Sequence, residues 1–134
     1  MSTIYDKRNK EIHQNEKRLD ILYRWIRLQQ SGIRIEQLFQ NRNIKNIAIY
    51  GYDMLAEILV YELDRSHISI KGIIDRRGDR ININFPAFTL PQAIDLDIDS
   101  VVVCPVDDYQ KIIADIEKYL TCPIVTMEDV VYGI

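Results

Sequence analysis

Residues 46–78 read Asn-Ile-Ala-Ile-Tyr-Gly-Tyr-Asp-Met-Leu-Ala-Glu-Ile-Leu-Val-Tyr-Glu-Leu-Asp-Arg-Ser-His-Ile-Ser-Ile-Lys-Gly-Ile-Ile-Asp-Arg-Arg-Gly. The apolar run at 47–50 predicts a strand buried on both faces, and Gly51 follows where the chain must turn sharply. Apolar residues at spacings of three and four then predict an amphipathic helix. A second strand over 69–74 leads to Asp75. Strand, glycine turn, helix, strand and acid is the order of a nucleotide-binding βαβ unit.

The glycine turn departs from the dinucleotide fingerprint at one position. The fingerprint has glycine at its first, third and sixth positions, where this chain has Gly51, Asp53 and Ala56. Alanine is tolerated at the sixth position, but Asp53 places a carboxylate where a pyrophosphate would approach the helix N-terminus. Asp53 is therefore predicted to cap the helix itself, and a nicotinamide dinucleotide is less expected than the strand order alone suggests.

The second half of the chain supplies the remaining elements of an open sheet. A short edge strand is expected within 81–88, a brief helix over 90–94, and a fully buried strand over 100–104. Asp107 and Gln110 have the spacing of a capping box, and they predict the start of an amphipathic helix that reaches Leu120. A last strand over 123–126 and a closing helix over 127–132 follow. The prediction is a Rossmann-like, doubly wound α/β domain over 45–134, with four or five mostly parallel strands.

A basic helical arm over 1–44 precedes this domain. Residues 1–45 contain ten Lys or Arg against five Asp or Glu, a balance of +5, so the other 89 residues carry −8 of the total −3. Such an arm could bind nucleic acid or anionic lipid, or dock on its own body or on a second copy. Nucleic acid is not expected as a partner, because the aromatic residues follow helical spacing and do not form a stacking platform.

Apolar residues in the arm occupy two neighbouring stripes of one helix. The first stripe contains Leu19, Leu22, Tyr23 and Ile26, and the second contains Ile21, Trp25 and Leu28. A helix that is apolar over so much of its girth must be buried on more than one side. We therefore expect a homodimer through this helix, with Leu19, Leu22, Trp25 and Ile26 at the interface. Residues 5–18 either continue the helix or fray.

Several classes of protein are not expected from the composition. No apolar run approaches the roughly 20 residues of a membrane span, and the N-terminus lacks a signal-peptide core, so a cytoplasmic protein is expected. Cys104 and Cys122 lack metal-ligand spacing and are predicted to be small buried hydrophobes. His13 and His67 are predicted to be isolated on the surface, and no metal site is expected.

The segments Ile-Ala-Ile-Tyr-Gly-Tyr-Asp-Met-Leu-Ala-Glu and Ile-Lys-Gly-Ile-Ile-Asp-Arg-Arg resemble Rossmann-type domains associated with bacterial surface-polysaccharide enzymes. These include the N-terminal nucleotide-sugar-binding domain of sugar acyltransferases and free-standing relatives encoded with capsule or teichoic-acid genes. The resemblance implies that the turn from Gly51 to Met54 faces a diphosphate, Asp75 a sugar hydroxyl, and 105–109 the rest of the ligand. The ligand-binding residues then expected are Gly51, Tyr52, Asp53, Met54, Asp75, Arg76, Arg77 and Pro105. The hexapeptide-repeat domain of the acyltransferases is absent from these 134 residues.

Three functions follow as hypotheses. The first is a non-catalytic module that binds a nucleotide, NAD(P) or a nucleotide sugar and acts beside a polysaccharide-biosynthesis enzyme. The second is a Rossmann-like scaffold without a ligand that works through homo-oligomerisation or partner binding. The third is an NAD(P)-dependent oxidoreductase or epimerase component completed by a partner. Catalysis by the chain alone is not expected, because no nucleophile stands beside a base in the sequence pattern.

Overall fold

The structure is a computed structural model that describes residues 3–81 and 83–133. Its helices are α1 (Ile4–Gln30), α2 (Ile35–Gln40), α3 (Met54–Leu63), α4 (Tyr109–Glu117) and α5 (Met127–Tyr132). Its strands are β1 (Asn46–Tyr50), β2 (Ser69–Ile74), β3 (Ala87–Phe88), β4 (Ser100–Val103) and β5 (Ile124–Thr126). Two short 3-10 helices, Gly78–Arg80 and Pro91–Asp95, lie between β2 and β4.

The five strands form one parallel sheet in the order β3-β2-β1-β4-β5. In the centre, Ile49 of β1 pairs with Ile73 of β2 on one side and with Val102 of β4 on the other. The chain builds outward from β1 to β3, then crosses back to place β4 on the other side of β1. This confirms the predicted Rossmann-like, doubly wound fold, and it puts the reversal of strand order between β1 and β4.

Both faces of the sheet are covered because successive side chains of each strand point to opposite faces. On one face Ile49 and Val102 pack in a core with residues of α1, α2, α3 and α5, including Trp25 and Phe39. On the other face Ala48 and Val101 pack with the segment 91–95 and with α4. The fully apolar runs that predicted β1 and β4 are therefore explained by burial on two sides.

The basic arm is one continuous helix through residues 5–18 and docks on its own domain. Ile21, Trp25 and Leu28 are buried in the same core as the sheet. Of the four expected interface residues, Leu19 and Ile26 are exposed, and Leu22 packs partly against the core. Placing Trp25 in a dimer interface was wrong, because its side chain is only 2% exposed and faces its own domain.

Two local predictions also need correction. Asp107 does not cap α4; Asp108 does, accepting a hydrogen bond from the amide of Lys111 at 3.3 Å. The cap of α4 therefore lies one residue further along than the capping-box spacing indicates. His67 is exposed as predicted but is not isolated. Its Nδ1 lies 3.0 Å from Oε2 of Glu36, whose buried carboxylate ties α2 to the start of β2.

Candidate functional site

A cleft of about 540 Å³ opens at the carboxyl edge of the sheet, over the point where the strand order reverses. Ligands of open α/β sheets bind at this position, because the loops on either side diverge there. The turns after β1, β2 and β4 form its floor, and α4 forms one wall. Its lining residues are Lys10, Tyr50, Gly51, Ile74, Asp75, Arg76, Arg77, Pro105, Asp107, Asp108, Lys111, Ile112 and Asp115.

Gly51 meets the β4–α4 loop at very short range. Its φ of +80° is a left-handed conformation that L side chains rarely adopt. A Cβ atom built on Gly51 would lie 2.4 Å from Cγ of Pro105. Glycine is therefore required at this position both by the turn and by the close packing of the Pro105 ring against its backbone.

Asp53 closes the N-terminus of α3, as its cap preference predicts. Its Oδ1 accepts a hydrogen bond from the amide of Ala56 at 3.0 Å. Its Oδ2 is buried and has no hydrogen-bond partner among the described residues. Burial raises the pKa of Asp53 above its usual value, although the amide bond acts in the opposite direction. The protein's own carboxylate thus takes the place of an anionic ligand at this helix end.

Asp75 is the acid expected to bind a sugar hydroxyl, and its carboxylate is held by Arg77, two residues further along the chain. Nε and Nη2 of Arg77 lie 2.9 and 3.1 Å from the two carboxylate oxygens, and the Arg77 amide donates to Oδ1 at 3.0 Å. These hydrogen bonds lower the pKa of Asp75. Because a carboxylate offers about four lone-pair positions, a ligand hydroxyl can still reach it.

Arg76 and Lys111 are the cations of the cleft that remain available. Both are exposed, and within the described residues neither has a carboxylate oxygen within 4 Å. The half-buried ring of Tyr50 lines the same cleft, and burial raises the pKa of its hydroxyl. Two unpaired cations beside an aromatic ring form a surface suited to a phosphate attached to a ring system.

A groove of about 390 Å³ adjoins the cleft and shares Tyr50, Ile74, Asp75, Arg76 and Asp115 with it. Its other walls come from the segment before β4 and from the end of α4. The residues that it adds are Thr89, Leu90, Pro91, Lys118 and Tyr119. Cleft and groove therefore meet at Tyr50 and Arg76, and together they offer two lobes to one elongated ligand.

The N-terminal half of α1 also reaches the cleft, which the sequence did not reveal. Nζ of Lys10 lies 3.5 Å from Oδ1 of Asp107, and Nε2 of Gln14 lies 3.3 Å from the same oxygen. The basic excess of the arm indicated docking on the acidic body as one alternative. The sequence pattern could not identify the loop that Lys10 contacts, because Lys10 and Asp107 are 97 positions apart in the chain.

Tyr109 and Cys104 lie behind the cleft and do not line it. Tyr109 is half-buried beneath Nζ of Lys17, which lies 5.0 Å from its ring centre, and beside Glu128. Burial, together with Glu128, raises the pKa of Tyr109 well above its usual range. Cys104 is buried as predicted, and burial raises the pKa of its thiol strongly. A nucleophilic cysteine needs the opposite shift.

The eight expected ligand-binding residues divide into two groups. Five line the cleft: Gly51, Asp75, Arg76, Arg77 and Pro105. Tyr52 packs partly against the core, Asp53 is the cap of α3, and Met54 is an exposed first residue of that helix. Tyr52, Asp53 and Met54 do not line the cleft because the chain turns away from it after Gly51. It then forms α3, which covers the face of the sheet opposite to α4.

Comparisons with protein-family models, with curated proteins and with solved structures found no significant match to this chain. Within residues 3–81 and 83–133, no group of three or more His, Cys, Asp or Glu side chains is clustered as a metal site would require. No helix in the same ranges is long and apolar enough to cross a membrane.

Proposed function

We propose that the chain is a non-catalytic module that binds a nucleoside diphosphate or a nucleotide sugar in the cleft at the carboxyl edge of its sheet. The observation that carries this proposal is that two exposed cations, Arg76 and Lys111, line the same cleft as Tyr50 at the reversal of strand order and have no carboxylate oxygen within 4 Å among the described residues. Open α/β sheets hold their ligands at this edge.

In this proposal the phosphates lie against Arg76 and Lys111 and not at the N-terminus of α3. The helix end is occupied by Asp53, and Pro105 fills the space over Gly51. The carboxylate of Asp53 disfavours the usual pose of NAD(P), whose pyrophosphate lies at that helix N-terminus. A shorter diphosphate with a sugar or base at its end fits the two lobes that meet at Tyr50.

Asp75 and Lys10 complete the proposed site. Asp75 retains acceptor capacity for a ligand hydroxyl while Arg77 fixes its orientation. Lys10 sits at the rim, where its exposed contact with Asp107 is weak enough to be exchanged for a ligand phosphate. The link to surface-polysaccharide biosynthesis rests on the resemblance of residues 47–57 and 70–77 to domains of such enzymes.

A thermal-shift screen tests this proposal. The pure chain is heated with nicotinamide dinucleotides, nucleoside diphosphates and nucleotide sugars. A ligand at a hundred times its Kd adds roughly 2.7 kcal/mol to the unfolding free energy, which is visible as a raised Tm. We expect a shift with diphosphates or nucleotide sugars and a smaller one with dinucleotides.

Variants locate the site of any ligand found in this screen. Arg76→Ala and Lys111→Ala should each weaken binding, because each removes a cation from the cleft. Lys71→Ala is the matched control, since Lys71 is an exposed lysine of β2 outside the cleft. Binding that survives both cleft variants, or that falls equally with Lys71→Ala, contradicts the proposed site.

A second candidate is a ligand-free scaffold that works by self-association through α1 or by binding a partner. The filling of the α3 N-terminus by Asp53 and of the glycine turn by Pro105 favours this candidate. Silence across the ligand panel together with a stable oligomer supports the scaffold. A monomer that binds a nucleotide sugar rules it out.

A further inference from the structure

The outward face of α1 carries a large apolar side chain at every seventh residue. Tyr5, Ile12, Leu19 and Ile26 are 71%, 47%, 65% and 50% exposed. They span most of a 27-residue helix, a length of about 40 Å at 1.5 Å per residue. A surface helix normally presents polar residues on its outer side, so this row requires an explanation.

The protein's own domain does not cover this row, because α1 docks through its other side. Ile21, Trp25 and Leu28 enter the core, while Lys10 and Lys17 contact Asp107 and Glu128 of the body. In the seven-residue repeat that places the apolar row at position d, all five of these α1 residues fall at positions b, c or f. The a and d positions therefore face away from the domain.

We infer that α1 pairs with α1 of a second copy of the chain in an antiparallel two-stranded coiled coil. An apolar d position sustained over four repeats matches half of the a/d pattern of a coiled coil, and Tyr23 adds one apolar a position, whereas a helix on a globular surface follows a period of 3.6. A second copy supplies such a helix with the same row.

The polar residues within the seam determine the orientation. The a positions are Asn9, Glu16, Tyr23 and Gln30. A parallel pair in register places Glu16 directly against Glu16 of the second copy, and like charges in one layer are destabilising. An antiparallel pair alternates a with d, so Glu16 lies beside Leu19 of the second copy. Tyr23 then lies beside Ile12.

Charges that flank the seam favour the same orientation. The e positions are Asp6, His13, Asp20 and Arg27, and all four are exposed. In the antiparallel register that overlaps the whole helix, Asp6 faces Arg27 of the second copy. His13 faces Asp20 in the same way, and each contact occurs twice. In a parallel pair the neighbours are Arg8 with His13, Asn15 with Asp20 and Leu22 with Arg27, none of which is a pair of opposite charges.

The charge pattern also separates a second copy from a membrane surface. A helix that lies on an anionic membrane carries Lys and Arg beside its apolar face. In α1, however, Lys10, Lys17 and Arg24 turn inward, to Asp107, Glu128 and the carbonyl of Val131. The residues beside the apolar row carry both signs.

The first test is the mass of the full chain in solution by light scattering at several concentrations. We expect a dimer, and we expect the double variant Leu19→Glu with Ile26→Glu to be a monomer with an unchanged circular-dichroism spectrum. Tyr61→Glu is the matched control, because Tyr61 is 83% exposed on α3 and lies outside the seam. This control should remain a dimer.

The second test is orientation. Arg8 and Gln29 flank the seam on its other side and are neighbours only in the antiparallel pair; in a parallel pair they stand about 30 Å apart along the axis. We expect a short thiol cross-linker to join chains with Arg8→Cys to chains with Gln29→Cys in a mixture. Neither variant alone should cross-link above the level of the unmodified chain, which has Cys104 and Cys122.

A monomer at all concentrations overturns the inference, as does a dimer that survives the double variant. A monomer that co-sediments with phosphatidylserine vesicles through the same residues assigns the row to a membrane instead. Cross-linking of the Arg8→Cys chain with itself overturns the antiparallel orientation. None of the seam residues lines the cleft, so nucleotide binding by a monomer leaves the proposed function standing.

Discussion

At the position where a dinucleotide fingerprint has glycine, Asp53 uses its carboxylate on the helix that follows. One oxygen caps α3, and the other is buried without a hydrogen-bond partner among the described residues. Aspartate's preference for the cap position was sufficient to predict the first contact from the sequence. The burial of the second oxygen was not predictable, because it depends on how the neighbouring elements close over the turn.

Asp53→Asn should therefore be at least as stable as the unmodified chain, since asparagine keeps the cap and removes the buried charge. Asp53→Ala should be less stable than Asp53→Asn by about 1 kcal/mol, the usual contribution of a cap. The two variants and the unmodified chain are compared by denaturant unfolding.

The stability difference between Asp53→Asn and the unmodified chain should depend on pH in a defined direction. Because the pKa of Asp53 is raised in the folded state, its cost to stability is present above the folded pKa. The cost is relieved as the pH falls through that value towards the unfolded pKa. The advantage of Asp53→Asn should shrink as the solution is made acidic. An advantage that grows in acid contradicts the assignment.

Substitutions at Gly51 and Pro105 can separate the energetic cost of a left-handed backbone from the cost of overpacking. Gly51→Ala adds a Cβ at φ +80° and 2.4 Å from Pro105 Cγ, so it carries a backbone cost of about 1 kcal/mol and an overpacking cost of roughly 1–3 kcal/mol. In a Pro105→Ala background only the backbone cost should remain. A double-mutant cycle by thermal unfolding measures the difference. Equal costs in both backgrounds would mean that Pro105 does not press on the glycine.

The pKa of Asp75 is shifted in the opposite direction to that of Asp53. Its pKa is lowered by Arg77, so its contribution to stability is present above the unfolded value of 3.8 and is lost as the pH falls through the lower folded value. Arg77→Ala should move the pKa of Asp75 upward, as measured by NMR titration of its carboxyl carbon. Arg80→Ala is the control, because Arg80 donates a hydrogen bond to the carbonyl of Arg77 and makes no contact with Asp75 among the bonds and ion pairs of the described residues. An unchanged pKa in Arg77→Ala contradicts the pairing.

At the scale of single elements, α1 has two apolar stripes that the sequence could identify but could not assign. Helical periodicity places Trp25 and Tyr23 on neighbouring stripes, and it does not indicate which of the two stripes is buried. The fold buries Trp25 at 2% exposure and leaves Tyr23 at 68%. Only the positions of α3, α5 and the sheet decide which stripe faces inward, and those are long-range contacts that a local pattern does not encode.

Substitutions on the two stripes should therefore differ sharply. Trp25→Ala should cost about 3–5 kcal/mol, as expected for a large aromatic residue removed from a core. Trp25→Phe should cost much less, because Nε1 of Trp25 makes no hydrogen bond with the described residues. Tyr23→Ala is the matched control and should change the unfolding free energy of the dissociated chain little. Chemical denaturation at low protein concentration measures all three, and similar costs for Trp25 and Tyr23 would refute the docking of α1.

At the scale of the whole molecule, a basic helix lies on an acidic body. The sequence established the excess of +5 over residues 1–45 and predicted both the parallel sheet and the edge at which its turns gather. It predicted these features because apolar runs and glycine turns are local signals. It missed Lys10 in the cleft and the contact of His67 with Glu36. Each of those depends on where a distant segment crosses the domain.

The ion pair of Lys17 with Glu128 can be used to test how much the charge asymmetry stabilises the docking of α1 on the domain. Their side-chain atoms lie 3.3 Å apart with both partly exposed, so a double-mutant cycle with Lys17→Met and Glu128→Gln should give a coupling below about 1 kcal/mol. Added salt should reduce it, because charges near the surface are screened. Lys118 and Asp115 provide the control pair at the end of α4, since they are 3.3 Å apart and 68% and 41% exposed, and their coupling should be smaller. If the two couplings are equal at low salt, the ion pair of Lys17 with Glu128 adds nothing specific to docking, and the buried stripe of Ile21, Trp25 and Leu28 is the main contact that holds α1 on the domain.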